Sequence, residues 1–172
     1  MGVFKPKIYQ KNIFDINYKE LKTEGIKCLI FDLDNTLGLI SHKNCPDDTK
    51  ELINKLKKDF IVIIISNNTR KRLKPYLEEL GIDGVAWSMK PSIKGLIRVK
   101  AKYKLKKKEM CIIGDQIVTD VLAGNRYHIK TILVDPLGEK DLKITGLNRK
   151  IESRIVKHYE KRGIFERGKY YE

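Results

Sequence analysis

The feature that most constrains the fold is a regular alternation between short apolar runs and segments with helical spacing. Five runs are rich in β-branched or aromatic residues, as the buried strands of a parallel sheet are. They cover residues 26–31, 60–65, 85–87, 110–113 and 131–134. The alternation predicts the α/β class, with a doubly wound parallel five-stranded sheet whose ligands bind at the carboxyl ends of the strands.

The segments between these runs carry apolar residues at helical spacing. One stripe follows Asp47 and Asp48, a second is closed by Gly81, a third begins near Ile93, and a fourth ends near Gly124. Aspartate near a helix start and glycine just past a helix end are typical boundary residues. The sequence therefore predicts four helices that connect the strands.

The length of 172 residues suits one domain with its own hydrophobic core. We predict an amino-terminal extension over residues 1–25 that packs on or near the core. The α/β core follows over residues 26–145, and a basic carboxyl-terminal helix and tail over residues 146–172. Apolar side chains alternate with lysines in the extension, so it is too apolar to be disordered: Phe4, Ile8, Tyr9, Ile13 and Phe14.

Positive charge is the unusual feature of the composition. The 36 Lys and Arg residues exceed the 22 Asp and Glu residues and leave a formal charge of +14. Such an excess predicts attraction to nucleic acid, to an anionic membrane surface or to substrates that carry phosphate. A second interpretation is equally open, because a chain rich in Lys, Ile and Asn is typical of an AT-rich genome. In that interpretation the excess of lysine results from codon bias, and the lysines are distributed over a solvated surface.

Cysteine usage and the amino terminus bear on the compartment. The three cysteines are scattered, and Cys28 and Cys111 lie in apolar runs, which favours buried free thiols in a reducing cytoplasm. Charge and proline interrupt the amino terminus before a signal-peptide core can form. No apolar stretch is long enough to span a bilayer. We therefore expect a cytoplasmic protein whose contact with a membrane, if any, is peripheral.

Two carboxylates follow the first predicted strand. Asp32 and Asp34 are two positions apart on an extended segment, so their side chains can point to the same side. Carboxylates held this close repel each other and need a cation or a shared proton. An acidic turn without a ligand is the ordinary alternative.

Polar residues also follow the other predicted strands. Ser66 and Asn67 offer a hydroxyl and a backbone N–H group, Lys90 precedes a helix, and Asp115 is followed five residues later by Asp120. Each has an ordinary explanation as a helix cap, a surface lysine or an acidic helix start. Those explanations do not account for all of them falling at one predicted edge of the sheet.

The ordered set resembles the motifs of the haloacid dehalogenase superfamily of phosphatases. The motifs are Asp32-x-Asp34-x-Thr36, then Ser66, then Lys90, then Gly114-Asp115 with Asp120. Within that superfamily the chain is similar to the subclass IIIA proteins of the YqeG type, which are related to phosphatidylglycerophosphate phosphatases. This resemblance spans about residues 10 to 155.

The resemblance implies roles for the acidic residues. Asp32 would attack phosphorus and become an aspartyl-phosphate, and Asp34 would protonate the leaving oxygen and later activate water. Mg²⁺ would be held by Asp32, the backbone carbonyl of Asp34 and Asp115. Asp120 and Thr36 would support that site.

The resemblance also assigns the residues that bind the transferring phosphoryl group. Ser66 and the backbone N–H of Asn67 would hold its oxygens, and Lys90 would neutralise charge on it and on Asp32. His42, His128 and His158 lack ligand-like spacing, so we expect surface or core roles for them. His42 follows the first motif and is the histidine placed to touch a substrate.

Neither gap between the first three motifs has room for a cap domain, which predicts an open site. An open site suits a phosphate presented on something large: a lipid headgroup, a nucleic-acid end or a phosphoprotein. The resemblance favours the lipid, specifically phosphatidylglycerophosphate, docked through the amino-terminal extension and basic residues. We expect Phe4 and Ile8 to be less packed on the domain than Ile13 and Phe14.

A binding module without catalysis is the alternative of another class. An RNA- or ribosome-associated factor could use the lysine-rich stretch from Lys94 to Lys108. That stretch contains Tyr103 as its one aromatic residue and so offers little for base stacking.

Overall fold

The computed structural model of the protein describes residues 2–138 and 145–172, with the backbone alone for 145–149. Its centre is a parallel sheet of six strands in the order β1-β6-β5-β2-β3-β4. The strands are β1 (Ile8–Gln10), β2 (Cys28–Phe31), β3 (Ile61–Ile65), β4 (Asp83–Val85), β5 (Met110–Gly114) and β6 (Lys130–Val134). The α/β class and the parallel sheet are confirmed. The expected number of five strands is corrected to six, because β1 of the amino-terminal segment pairs with β6.

Six helices accompany the strands in the described residues. They are α1 (Tyr18–Thr23), α2 (Asp47–Leu56), α3 (Arg70–Leu80), α4 (Lys94–Lys102), α5 (Leu122–Tyr127) and α6 (Thr145–Glu160). The four predicted helices correspond to α2 to α5, and α3 ends as expected at Gly81, in the left-handed conformation. A π-helical turn, Ile117–Val121, precedes α5. Helix α1 has six residues, which is too short for a periodic pattern to reveal.

The two faces of the sheet bury separate clusters of apolar side chains. On β2, Leu29 and Phe31 pack in one cluster, with Leu73 and Leu80 of α3. Cys28 and Ile30 of the same strand pack in the other, with residues of α4 and α5. This alternation is the physical basis of a doubly wound sheet, since successive side chains on a strand point to opposite faces.

The terminal segments form a third cluster beside β6. Tyr9 of β1 is fully buried there, together with Tyr159 of α6 and Phe165. Phe4 and Ile8 are half-buried and packed, whereas Phe14 is 45% exposed. Of the expectation that Ile13 and Phe14 pack better than Phe4 and Ile8, the part on Ile13 is confirmed, since it is 1% exposed, and the part on Phe14 is wrong. Pairing of β1 holds its neighbours against the domain, while Phe14 falls in the turn that follows Asn12.

The connections between the first three motifs are short, as predicted. Residues 35–65 contain a loop, α2 and β3, and residues 67–89 contain α3 and β4, so neither holds a cap domain. One predicted boundary is corrected: β4 ends at Val85, and Trp87 lies beyond it with a positive φ of 50°. Within the described part of the chain, no helix combines the length and the apolar character needed to cross a bilayer.

Candidate active site

The predicted acidic residues meet at the carboxyl edge of the sheet. Strands β2 and β5 are neighbours, and the pairing continues past β2, where the Asp32 N–H donates to the carbonyl of Ile113 at 2.8 Å. Asp32, Asp115 and Asp120 are buried, and one carboxylate oxygen from each lies within 4.8 Å of the others. The structure thus adds Asp120 to the carboxylate cluster, beyond the supporting role expected for it.

Lys90 is the cation of this cluster. Its Nζ donates to Asp32 Oδ1 and Asp120 Oδ1, each at 2.6 Å, and to the carbonyl of Ile65 at 2.9 Å. The side chain is 4% exposed, so little water screens these contacts. Lys90 therefore links Asp32 of the first motif to Asp120 of the fourth.

The side chain of Asn67 fixes the backbone around Lys90. Its Oδ1 accepts from the Lys90 N–H at 2.6 Å and from Ser88 Oγ at 2.8 Å, and its Nδ2 donates to the Lys90 carbonyl at 2.9 Å. The sequence pointed to the backbone N–H of Asn67 as a phosphate ligand. The structure shows a second contribution, because the amide orients the loop that carries Lys90.

Burial dominates the electrostatics of the cluster. It raises the pKa of Asp32 to about 7, with Lys90 opposing that shift and Asp120 and Asp34 adding to it. Burial, followed by the charges of Asp32 and Asp120, also raises the pKa of Asp115 well above its usual value. For Lys90, burial acts to lower the pKa, but the Asp120 and Asp32 carboxylates outweigh it and raise the pKa. Lys90 is therefore positively charged at neutral pH.

The charges of the cluster fit a divalent cation. Three ionised carboxylates and one ammonium group leave two negative charges in a buried space, which is unfavourable unless a cation or protons neutralise them. Carboxylate oxygens are the ligands that Mg²⁺ prefers. Asp32, Asp115 and Asp120 are the residues that could hold it.

Asp34 has both carboxylate oxygens occupied. Arg72 donates to Oδ1 through Nε at 3.0 Å and through Nη2 at 2.8 Å, and Asn68 Nδ2 donates to Oδ2 at 3.2 Å. Arg72 also donates to the carbonyls of Leu39 and His42 in the loop after the first motif. Asp34 Oδ2, which accepts the hydrogen bond from Asn68, keeps a lone pair that can carry a proton.

Arg72 was not singled out from the sequence, although one signal was present. The first turn of α3 contains Arg70, Lys71 and Arg72. Positive charge is unfavourable at a helix amino terminus, where the helix dipole is itself positive. Such a cluster indicates an anion close to that helix end, and for Arg72 the anion is Asp34.

Small and hydroxylated residues complete the site. Thr36 Oγ1 donates to Asp115 Oδ1 at 3.4 Å, and Ser66 Oγ accepts from the Asn68 N–H at 3.1 Å, both from buried positions. A Cβ on Gly114 would lie 2.3 Å from the carboxylate of Asp120, so only glycine allows this approach. Thr36 therefore contacts the carboxylate cluster, and Ser66 directly follows β3 at the same edge of the sheet.

A cavity of about 1100 Å³ lies at the opposite edge of the sheet, away from these carboxylates. Its lining includes Ile8 and Lys130, which begin β1 and β6. Lys130 is paired there with Glu24. His128 lines this cavity, and His158 lies on α6, so neither histidine belongs to the cluster. Among the described residues, the carboxylates that could together hold a metal ion are those of Asp32, Asp115 and Asp120, at the carboxyl edge.

Comparisons with known proteins agree with this geometry. A model of the haloacid dehalogenase-like hydrolase family matches residues 39–128. The chain is 40% identical over 161 residues to "Probable phosphatase YqeG" of Bacillus subtilis, covering 93% of this chain and 94% of that one. It is 24% identical over 170 residues to phosphatidylglycerophosphate phosphatase 1 of Arabidopsis thaliana, covering 92% of this chain but 49% of the plant protein.

Solved structures support the fold. A HAD family enzyme from Bacteroides thetaiotaomicron, in complex with magnesium and inorganic phosphate, superposes with a TM-score of 0.53 at 14% identity. The alignment covers 71% of this chain and all of that one. Given the family match and the bacterial relative, the chain belongs to the haloacid dehalogenase-like hydrolase family and is a phosphatase.

Proposed function

We propose that the protein is a Mg²⁺-dependent phosphomonoester hydrolase that works through an aspartyl-phosphate on Asp32. The observation that carries the proposal is the buried cluster of Asp32, Asp115 and Asp120 around Lys90. Burial and the Lys90 contact hold one Asp32 oxygen, and its other oxygen is the nucleophile.

The reaction has two displacements at phosphorus. In the first, an Asp32 oxygen forms a bond to phosphorus while the ester P–O bond breaks, and Asp34 gives a proton to the leaving alcohol. In the second, water attacks the same phosphorus and passes a proton to Asp34, which releases phosphate and regenerates Asp32. Lys90 stabilises negative charge during both steps, and Ser66 and the backbone N–H of Asn67 bind phosphoryl oxygens.

Mg²⁺ would be held by Asp32, the backbone carbonyl of Asp34 and Asp115, with Asp120 beside them, and would supply positive charge to the phosphoryl oxygens. We expect activity to require Mg²⁺, to disappear with a chelator and to be inhibited by Ca²⁺, which prefers more ligands and a looser geometry. Full activity in excess chelator would contradict the metal assignment.

The covalent step is tested with radiolabelled phosphoester and rapid acid quench. Wild-type protein should retain label, and Asp32→Asn should retain none, because the amide keeps the shape of the side chain and loses the nucleophile. Beryllium fluoride should bind the wild type as a mimic of the aspartyl-phosphate. Hydrolysis by Asp32→Asn at the wild-type rate would rule out the covalent mechanism.

The substrate we propose is a phosphate presented on a large anionic carrier, with phosphatidylglycerophosphate as the best candidate. Three observations support it: the short connections around the site, the formal charge of +14, and a plant relative named for that lipid. The test is Mg²⁺-dependent phosphate release from this lipid, beside sugar phosphates, nucleotides, phosphopeptides and phosphorylated nucleic-acid ends. If a compound of any other class is hydrolysed faster, that class replaces the lipid as the proposed substrate. Bound nucleic acid in the purified protein, without turnover of any ester, would favour the binding module.

A further inference from the structure

Three exposed apolar side chains follow strands on either side of the candidate site. Trp87 is 65% exposed, Met89 73% and Leu137 44%. Trp87 and Met89 follow the carboxyl end of β4, and Leu137 follows that of β6. We call these three side chains the apolar rim. Because the strands are parallel, the rim lies at the same edge of the sheet as Asp32 and Asp115.

The backbone around Lys90 enforces the exposure of Trp87 and Met89. Both residues have positive φ, 50° and 54°, a conformation that is unusual for large side chains. It is held by hydrogen bonds from the Trp87 N–H to the Asn68 carbonyl at 3.0 Å and from the Ser88 N–H to the Ser66 carbonyl at 3.1 Å. Ser88 and Lys90 point inward while Trp87 and Met89 point outward. The turn that places Lys90 in the site therefore presents two apolar side chains to solvent.

Leu137 lies on the other side of the site. Its N–H donates at 2.9 Å to the carbonyl of Asn35, which stands between Asp34 and Thr36 in the first motif. In the order of the sheet, β5, β2 and β3 lie between β6 and β4. The rim thus flanks the two strands that carry Asp32 and Asp115.

Basic residues accompany the rim. The segments that follow β2, β3 and β4 carry the exposed side chains Lys43, Arg70, Lys71 and Lys94. The exposed carboxylates at the corresponding end of α2, its start, are Asp47 and Asp48, and those of Glu51, Asp59 and Glu78 lie farther along the connections. Apolar side chains mixed with an excess of positive charge complement an anionic bilayer, where tryptophan settles at the headgroup level and lysine and arginine pair with lipid phosphates.

We infer that the carboxyl edge of the sheet docks on an anionic lipid bilayer, with Trp87 and Met89 entering the interface and the basic residues contacting headgroups. In this arrangement a headgroup phosphate reaches Asp32 without leaving the membrane surface. The inference rests on the proposed function, whose lipid substrate it requires.

The rim takes the place of the amino-terminal extension as the docking element. Tyr9 is buried in the third cluster, and Phe4 and Ile8 pack partly against the domain, so these side chains offer a bilayer less apolar surface than Trp87 and Met89 do. Nucleic acid is a poorer occupant, since Trp87 is the single aromatic residue of the rim and successive bases need several stacking partners.

Trp87 is the one tryptophan of the sequence, so the fluorescence of the unmodified protein reports directly on the rim. Vesicles of phosphatidylcholine with phosphatidylglycerol should shift its emission to shorter wavelength, and brominated lipids should quench it. High salt should weaken both effects, because it screens the basic residues. Vesicles of phosphatidylcholine alone should have little effect.

The variants are Met89→Ser, Trp87→Ser and the double variant, with Val3→Ser as the control. Val3 is 51% exposed and lies near Asn125, which lines the cavity at the opposite edge of the sheet. We expect the affinity for vesicles to fall about tenfold in the double variant, because it lacks the two apolar side chains that enter the bilayer interface. Turnover of phosphatidylglycerophosphate in vesicles should fall more than turnover of para-nitrophenyl phosphate, and Val3→Ser should match the wild type.

Each other outcome overturns the inference. Co-sedimentation with vesicles without a change in Trp87 emission would mean that another face binds, and an emission change with oligonucleotides but not vesicles would assign the rim to nucleic acid. An absence of vesicle binding would also rule out docking of the carboxyl edge on a bilayer. If para-nitrophenyl phosphate is not hydrolysed by the wild type, the proposed function itself fails, which is a separate result.

Discussion

Asp32 and Lys90 illustrate at the residue scale how burial controls this site. Buried carboxylates are poorly solvated, so the cluster is neutralised either by protons or by a metal ion. The pKa of Asp32, raised to about 7, places this exchange near neutral pH. The binding of protons and the binding of Mg²⁺ are therefore expected to compete.

This competition predicts a pH-dependent stability. Because the folded-state pKa of Asp32 is raised from 3.8 to about 7, its contribution to stability is present at low pH and is lost as the pH rises through that interval. The Tm of the metal-free wild type should fall as the pH rises through this interval, and the Tm of Asp32→Asn should fall less. The gain in Tm from saturating Mg²⁺ should be about 5 °C larger near pH 8 than near pH 5. A gain that is independent of pH would contradict the raised pKa.

Arg72 gives a second prediction at this scale, because it holds Asp34 through two nitrogens. Arg72→Gln should lower kcat about tenfold or more on alkyl phosphates, whose poor leaving groups need protonation, and less on para-nitrophenyl phosphate. Arg72→Lys should be intermediate, since an ammonium group cannot make the same paired contact. Lys74→Gln, on an exposed position of the same helix, is the control. Equal losses on both esters would indicate that Arg72 does not act through Asp34.

At the scale of elements, the turn between β5 and α5 brings two carboxylates together. Gly114 ends β5, and the π-helical turn Ile117–Val121 returns Asp120 toward it. The Gln116 N–H donates to Asp120 Oδ2 at 3.2 Å, which holds that side chain beside the strand end. The extra residue accommodated by a π-helical turn is a common feature of functional sites.

Gly114→Ala tests this arrangement, because the added Cβ would lie 2.3 Å from the Asp120 carboxylate. Displacing Asp120 should raise the Mg²⁺ concentration for half-maximal activity by about tenfold, which corresponds to about 1.4 kcal/mol. Gly124→Ala is the matched control, since its Cβ would meet Thr131 and Ile112 in the core at similar distances. It should lower the free energy of unfolding by about 1–3 kcal/mol and leave the Mg²⁺ requirement of the folded protein unchanged. Similar effects of both substitutions on the Mg²⁺ requirement would contradict a specific role for Gly114.

At the scale of the whole molecule, both termini support the turn that carries Asp120. The Ile117 N–H donates to Glu152 Oε2 of α6 at 3.3 Å. Arg167 pairs with Glu152 and, at 3.4 Å, with Asp135, which also accepts a hydrogen bond from the Tyr9 hydroxyl. Tyr9, Asp135, Glu152 and Arg167 lie outside the part matched by the family model, residues 39–128, whereas Ile117 lies within it. The segments that flank that part therefore stabilise its active-site turn.

Removing one partner of this network should destabilise the protein. Arg167→Met leaves the buried Glu152 without its cation, and we expect a loss of about 1–3 kcal/mol in the free energy of unfolding, measured with urea. The double variant Arg167→Met/Glu152→Gln should lose less than the sum of the single variants, because the two side chains are coupled. Additive losses would show that the pair does not interact in solution.

The sequence alone determined the class of fold and five of the six strands, and it singled out the candidate site residues. Runs such as 61–65 and 110–114 can be recognised in the sequence because a buried parallel strand is apolar on both faces. Asp32, Ser66, Lys90 and Asp115 could be placed at one edge of the sheet because each directly follows, or lies a few residues beyond, such a strand. These are local patterns, and local patterns are readable from one sequence.

Only the tertiary structure decided the features that depend on distant partners. Strand β1 has three residues and is a strand because it pairs with β6. Arg72 contacts Asp34, which is 38 positions away in the sequence, and Glu152 contacts Ile117, which is 35 positions away. Trp87, assigned to a strand by its β propensity, is instead held outside it by hydrogen bonding to Asn68. Pairing across a sheet and the direction of a side chain follow from packing and hydrogen bonds between segments far apart in the chain. Composition and periodicity report neither of these, since both are properties of neighbouring residues.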